Sequence, residues 1–276
     1  MLTEDLKLKC AARTDIGLIR HRNEDSLWVD AALGWLLLAD GMGGHTSGDL
    51  ASALAVNHIL SRLRDAQEKG FTKYDVAVLL AKSVTEANTA IRNVSMQSDG
   101  VAPAMMGSTF VGGVLEQDKI TYAHVGDSRL YLLRDGFLAP LTHDHTLVQE
   151  FVDAGRLSAE AAQVHPYRGL LTRGLGVHEE VEPDVGICTL HPGDRLLLCT
   201  DGLTDMVSEE EIGRLLGLDL EADEIAECLI EAAKYAGGRD NISVIVAWFT
   251  EQLPCNNDQC ADEAHCDINQ MDASHA

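Results

Sequence analysis

Apolar residues along the chain fall into two repeating patterns, and their order outlines a mixed fold. Between Lys7 and Val29 the spacing predicts an early strand, a charged connection from Arg13 to Ser26, and a second strand through Leu27 and Val29. The next apolar run, Trp35-Leu-Leu-Leu-Ala, stops at Asp40, and the glycines after it predict a turn into a helix beginning near Leu50. Leu50 to Leu63 and Val76 to Val94 both carry helical spacing. In the second, Val76, Leu80, Val84, Ala87, Ile91 and Val94 make one apolar stripe with polar residues opposite. Ser95 to Met106, with Gly100 and Pro103, reads as the loop that ends this helix.

Strand patterns then dominate. Gly107 to Leu115, Lys119 to Val125, Arg129 to Leu133 and Phe137 to Leu141 are rich in β-branched and aromatic residues. Their connections are too short for crossovers, which predicts an antiparallel meander. Thr142 to Gly176 breaks into short helical pieces and polar loops with His143, His145, His165, Arg156, Arg168 and Arg173; within it His143-Asp144-His145 reads as solvent-facing. A segment this irregular between regular strands marks function or mobility. Regularity returns at Asp194 to Asp201. Ser208-Glu-Glu-Glu211 predicts a capping box opening a helix, Glu221 to Tyr235 a second helix ended by Gly237-Gly238, and Ile242 to Phe249 a last strand. From Glu251 onward there are six acids and no Lys or Arg, the composition of a disordered acidic tail. The expected organisation is a single domain over residues 1–250 and a tail over 251–276, without internal repeats of solenoid length.

Composition narrows the function. Among 276 residues, 44 acids against 21 bases give a formal net charge of -23, which repels phosphate backbones and argues against nucleic acid or an anionic membrane as partner. The N-terminus offers no continuous apolar core of a signal peptide, and no apolar run approaches the roughly 18 residues of a spanning helix. A soluble, cytoplasmic protein is expected. Cys10, Cys188, Cys199 and Cys228 stand singly in apolar surroundings, as buried thiols of a reducing compartment do, rather than as a disulfide framework.

The chemistry lies in carboxylates at the ends of apolar runs. Leu-Ala-Asp40-Gly, Cys-Thr-Asp201-Gly and Gly-Arg-Asp240-Asn are joined by Glu24-Asp25 in the first polar loop and by Val-Gly-Asp127-Ser. Without matching cysteine or histidine, this is a hard oxygen-ligand set suited to Mg²⁺ or Mn²⁺ rather than Zn²⁺. An Asp shared by two such ions about 3.5–4 Å apart creates a site where water loses a proton and attacks phosphorus in line. Glycine beside a ligand lets a backbone carbonyl approach a metal. Each Asp-Gly pair alone also marks an ordinary turn; the set in this order carries the signal. A Gly-x-x-x-x-Gly-Lys phosphate loop is absent and Thr46 breaks a Gly-x-Gly-x-x-Gly fingerprint, so kinase and dehydrogenase readings fail. In the tail, Cys255, Cys260, His265 and Cys266 are spaced unlike paired zinc knuckles.

Six motifs together, Thr-Asp15-Ile-Gly17-Leu-Ile-Arg20-His-Arg-Asn23-Glu24-Asp25-Ser, Ala-Asp40-Gly41-Met-Gly43-Gly44, Gly107-Ser108-Thr109, Val-Gly126-Asp127-Ser128-Arg129, Thr-Asp201-Gly202-Leu-Thr-Asp205 and Arg239-Asp240-Asn241, make the chain resemble the metal-dependent Ser/Thr protein phosphatases of the 2C type over residues 8–249. The small bacterial single-domain members are the most similar in kind. The resemblance implies an α+β fold, a central antiparallel β-sandwich flanked on both faces by antiparallel helix pairs. It implies Asp40 as the ligand bridging two metals, Gly41 as a carbonyl ligand, and Asp201 with Asp240 as further ligands of one ion. Glu24 matches the acid beside the other ion, and Asp25 a nearby supporting group. Asp127 falls where bacterial members hold a third, weaker metal, with Asp205 close by and Asn241 beside Asp240. Arg20 matches the arginine that grips the substrate phosphate, for which a guanidinium fork is suited. Residues 142–176 match the flap beside the active site.

The activity so implied is hydrolysis of phosphoserine and phosphothreonine in proteins by a monomer using two or three Mn²⁺ or Mg²⁺ ions, without a covalent phosphoenzyme, opposing a Ser/Thr kinase. Met42 stands where many eukaryotic relatives carry a histidine proposed as general acid, so another group protonates the leaving oxygen. His45, at the helix start, reads as structural. Two other readings compete: a catalytically silent phosphoprotein-binding module, which predicts damaged ligands, and a phosphatase of small phosphoesters.

Overall fold

A computed structural model describes residues 7–43, 47–71, 74–96 and 106–250. The predicted tail at 251–276, most of the predicted loop at 95–106, and His45 lie outside the described residues. Two antiparallel sheets lie face to face. The first has the order β1 (Lys7–Asp15), β11 (Ile242–Thr250), β10 (Arg195–Cys199), β7 (Arg129–Arg134), β8 (Phe137–Pro140). The second runs β2 (Asp25–Asp30), β3 (Trp35–Gly43), β5 (Phe110–Glu116), β6 (Lys119–Val125), β9 (Asp184–Thr189), with β4 (Met106–Ser108) paired to the end of β3.

The run Trp35–Ala39 is apolar without alternation because β3 is covered on both faces. Leu36 and Leu38 point into the sandwich with Val111, Ile120, Leu130, Leu196, Leu198 and Ile245. Trp35, Leu37 and Ala39 point the other way, against Ala55, Ile59 and Leu63 of α1 (Gly48–Glu68) and Leu80, Val84 and Ile91 of α2 (Val76–Met96). On the far side Leu197, Val244 and Val246 pack on Ile212 and Leu216 of α6 (Glu209–Leu216) and on Ile225 and Leu229 of α7 (Ala222–Tyr235). The result is the expected α+β sandwich with a helix pair on each face. Each fully buried leucine contributes roughly 1.5–3 kcal/mol of transfer free energy.

Four expectations need correction. Strand β3 does not stop at Asp40: it continues to Gly43 because β4 supplies partners, Gly41 opposite Ser108 and Gly43 opposite Met106. The predicted meander is two hairpins, β5–β6 in one sheet and β7–β8 in the other, and the chain changes sheets at Gly126-Asp127-Ser128. Ser208 does cap α6 by accepting from the Glu211 N–H, but the Glu211 carboxylate turns to Arg214, at 2.7 Å from both Nε and Nη2; the reciprocal box occurs at Glu221 and Glu224 of α7. Strand β9 and the one-turn α5 (Asp201–Thr204) were not predicted, since β9 is an exposed edge strand without a marked pattern. The flap segment forms α3 (Leu147–Asp153) and α4 (Ala159–Gln163) and is tied back by bridges Thr146–Leu171 and Ser108–Leu175. Among the described residues no helix is long and apolar enough to cross a membrane.

Candidate active site

Asp40 and Asp25 are direct partners across β2 and β3, so strand register alone places two carboxylates side by side at one end of the sandwich. Asp40 is fixed through its backbone. Its N–H donates to Thr109 Oγ1 (2.9 Å), and its carbonyl accepts from the Thr109 N–H (2.8 Å) and from Ser108 Oγ (2.9 Å). Gly41 follows where no side chain fits: a Cβ there would lie 2.0 Å from the Gly48 carbonyl and 2.5 Å from that of Glu24. The Gly41 N–H donates to Glu24 O at 3.1 Å.

The first sheet supplies the facing acids. Asp201 begins α5 just after β10, and Asp240 lies in the short loop between α7 and β11. Beneath them is a hydroxyl network: Asp25 Oδ2 accepts from Ser243 Oγ (2.6 Å) and Thr200 Oγ1 (3.2 Å), while Thr200 Oγ1 accepts from the Ser243 N–H (3.0 Å). Asn241 staples the first polar loop to the site. Its Oδ1 accepts from the Glu24 N–H (2.8 Å) and its Nδ2 donates to the carbonyls of Ile16 (3.0 Å) and Arg22 (2.9 Å). Sequence reasoning assigned no role to Ser108, Thr109, Thr200 or Ser243; Ser108, Thr109 and Thr200 stand inside the family's motifs, and Ser243 is marked only as a small hydroxyl residue near a strand end.

The carboxyls repel one another in a buried place. Burial, then the charges of Asp25, Asp201, Asp127 and Asp240, hold the Asp40 carboxyl well above the usual carboxylate range. Asp201 is raised in the same way by burial, then Asp127, Asp240 and Asp205. Asp127 is pushed up to about 7 by burial and then Asp144, and Asp25 to about 6 by burial, against the hydrogen bonds from Ser243 and Thr200. Glu24 is also raised, burial outweighing the pull of Arg20. Asp25 Oδ1 and Asp201 Oδ1 are buried without a hydrogen-bond partner, an arrangement that costs stability unless a cation arrives. These all-oxygen donors fit hard divalent cations. The oxygens are spread rather than closed: among the described residues no three of these acids each bring an oxygen within 4.8 Å of the others.

Of the expected site residues, Glu24, Asp25, Asp40, Gly41, Asp127, Asp201, Asp205, Asp240 and Asn241 are brought to this one end of the sandwich. Arg20 is there too, its Nη2 2.5 Å from Asp240 Oδ2, so its guanidinium rests on one of the candidate ligands. Asp205 is held by Arg168 of the flap, Nη2 to Oδ2 3.0 Å. Met42 packs beside Gly107 and Gly174 rather than offering a proton. One expectation fails: of His143-Asp144-His145 only His143 faces solvent. Asp144 is drawn in by a two-pronged bond from Arg129 (2.8 and 2.7 Å), and the His145 side chain is 1% exposed.

Comparison with known proteins agrees with this geometry. The model of the family described as Protein phosphatase 2C matches residues 20–235. The serine/threonine protein phosphatase PstP of Mycobacterium tuberculosis is 44% identical over 243 residues, 88% of this chain but 45% of that protein, so the chain spans less than half the length of that relative. The serine/threonine phosphatase stp of Listeria monocytogenes is 40% identical over 240 residues, 85% of this chain and 93% of that protein. A solved structure of the PstP catalytic domain in complex with two manganese ions superposes with a TM-score of 0.77 at 42% identity, covering 89% of this chain and 99% of that one. On sequence and fold alike, the chain belongs to the protein phosphatase 2C family.

Proposed function

We propose that this chain is a Mn²⁺- or Mg²⁺-dependent protein phosphatase that hydrolyses phosphoserine and phosphothreonine in proteins, with residues 1–250 as its single catalytic domain. The observation that carries the reading is the cluster of mutually repelling carboxyls, Asp127 buried and Asp40, Asp201 and Asp25 partly buried, with Arg20 at its rim. Asp40 at the centre, Asp201 and Asp240 on the facing sheet, the Gly41 carbonyl, Glu24 and Asp127 are the groups that would hold two or three ions. Bound ions supply neutralising charge for the phosphoryl oxygens and acidify water for in-line attack.

The chain's own residues do the rest. Ser108 and Thr109 lock the Asp40 backbone, so its carboxylate needs no reorganisation when charge arrives. Arg20, half-exposed and now paired with Asp240, is placed to exchange that carboxylate for the two oxygens of a phosphoryl group. Nothing ionisable stands at position 42, and the leaving serine or threonine oxygen draws its proton from another source. None of the ligand candidates is replaced, which sets this chain apart from a silent binding module. The setting is a cytoplasmic monomer that opposes a Ser/Thr kinase and removes the nearly two negative charges of each phosphate.

The test is release of phosphate from a phosphothreonine peptide with and without Mn²⁺, for the native chain and for Asp40→Asn. Activity should require the ion and fall by at least about a hundredfold in the variant; full activity in Asp40→Asn overturns the assignment.

A further inference from the structure

His124 on β6, His145 in the segment after β8 and Asp184 on β9 bring one ligand atom each within 4.8 Å. They do not make a metal site. The two rings stack at 4.4 Å with 24° between their planes, and nitrogen lone pairs lie in the ring plane, so two nearly parallel rings cannot both aim at one ion. Their hydrogen bonds show what they do instead.

His145 takes both backbone groups of Gly126. Its own N–H donates to Gly126 O at 2.9 Å, and the Gly126 N–H donates to His145 Nδ1 at 3.1 Å. Accepting at Nδ1 requires a lone pair there, which puts the proton of the neutral ring on Nε2. Nε2 lies 3.2 Å from Asp184 Oδ2 but is not aligned with it for a hydrogen bond and is buried without a partner; Asp184 is itself held by Arg173 through Oδ1 at 2.6 Å. His124, stacked behind, uses Nε2 on the His143 carbonyl (2.8 Å) and so braces the same segment. Burial and the neighbouring His124 lower the His145 pKa to about 4, against the pull of Asp184, so the neutral ring persists at neutral pH.

Gly126 matters because Asp127 follows it. Its φ of +105° and its contact with Thr109, where a Cβ would come within 2.7 Å of a side-chain carbon, make this a turn with one conformation. Thr109 is also the residue that holds Asp40 and bonds Ser128 Oγ at 2.7 Å. The turn carrying Asp127 is therefore gripped between Thr109 on the Asp40 side and His145 on the flap side.

We infer that His145 is a positioning residue which, through the Nδ1 lone pair that accepts from the Gly126 N–H, fixes the Gly126–Asp127–Ser128 turn and so the cation affinity of Asp127. The inference rests on the metal-dependent reading above and deepens it: a residue that is not itself a proposed ligand sets the geometry of the outlying one.

The test uses the full chain and Mn²⁺. Histidine-selective ¹⁵N NMR should show His145 protonated at Nε2 and bare at Nδ1; the opposite tautomer overturns the inference. Asparagine carries an acceptor at the δ position, glutamine only at the ε position, and alanine neither. His145→Ala and His145→Gln should raise the Mn²⁺ concentration needed to fill the weaker class of sites by about tenfold in calorimetric titration, with His145→Asn within about threefold of the native chain. The same order should hold for half-maximal phosphate release, with KM for the peptide unchanged. Asparagine performing no better than glutamine overturns the inference. If the His145 variants do not fold, the native chain still decides: a His145 ring that carries its proton on Nδ1 cannot accept from the Gly126 N–H, and that result refutes the role. Should the native chain release no phosphate, the activity reading falls, while the NMR and calorimetry still decide the role of His145.

Discussion

Replacing Asn241 by alanine tests the architecture of the site without touching a proposed ligand. The side chain is 4% exposed and makes three hydrogen bonds, one from the Glu24 N–H and two to the carbonyls of Ile16 and Arg22. Each is worth about 1 kcal/mol net, and a buried group left without a partner costs about 1–3 kcal/mol. The carbonyls of Ile16 and Arg22 lie in exposed residues and recover water, whereas the Glu24 N–H is partly buried. The sum is about 2–3 kcal/mol of stability, or roughly 4–12 °C in Tm for a domain of this size. The loop released carries Arg20 and Glu24, so KM for a phosphothreonine peptide should rise together with the Mn²⁺ requirement. Urea denaturation and steady-state kinetics on the same preparation read both effects. Asn241→Asp is the control: it keeps the acceptor for Glu24, loses both donors and adds a charge beside Asp240, so it should fall below the native chain in both assays. A loss under about 0.5 kcal/mol in Asn241→Ala with unaltered KM would refute the staple.

Other perturbations follow from the same contacts. Arg20→Ala should raise KM for a phosphopeptide far more than it lowers kcat if, as proposed, the guanidinium grips the phosphoryl group before and during reaction; an unchanged KM removes it from the phosphate site. Thr109→Val keeps shape but leaves the Asp40 N–H without its acceptor, at about 1–3 kcal/mol of stability read by denaturant unfolding; a neutral result would mean that Asp40 is held by β4 alone. His145, near 4 when folded and about 6.5 when unfolded, binds a proton more readily in the unfolded chain, so its contribution is complete above pH 6.5 and is lost as pH falls toward 4. The loss amounts to roughly 3 kcal/mol, set first by burial and then by the groups facing the ring, His124 and Arg173 lowering the pKa against Asp184. His145→Gln should flatten the stability profile over that window, and an unaltered profile would count against the shift.

Much of the molecule was legible in the chain. The apolar run Trp35–Ala39 and the helical stripe from Val76 to Ile91 are periodicities that burial imposes locally, so the elements could be read directly. Most of the acids could be found because they sit beside such runs, and Asp201, Asp127 and Asp240 come within electrostatic reach of Asp40 in the structure. The boundaries that failed are those set by partners far along the chain. Strand β3 continues past Asp40 only because β4 arrives from some 65 residues away, and β9 is a strand only because β6 offers an edge.

The side-chain support of the site was hidden for the same reason. The triplet His143-Asp144-His145 is polar in sequence, and local reasoning assigns it to solvent, yet Arg129 and Gly126 from the β6–β7 crossing draw two of the three inward. Sequence by itself determined the class of chemistry, because hard oxygen donors at strand ends carry their identity in residue type and order. Only the tertiary structure decided which hydrogen bonds aim those donors, since the partners lie far along the chain: Thr109 holds Asp40 from beside the neighbouring strands of its own sheet, Ser243 of the facing sheet holds Asp25, and His145 from the segment after β8 holds the turn of Asp127.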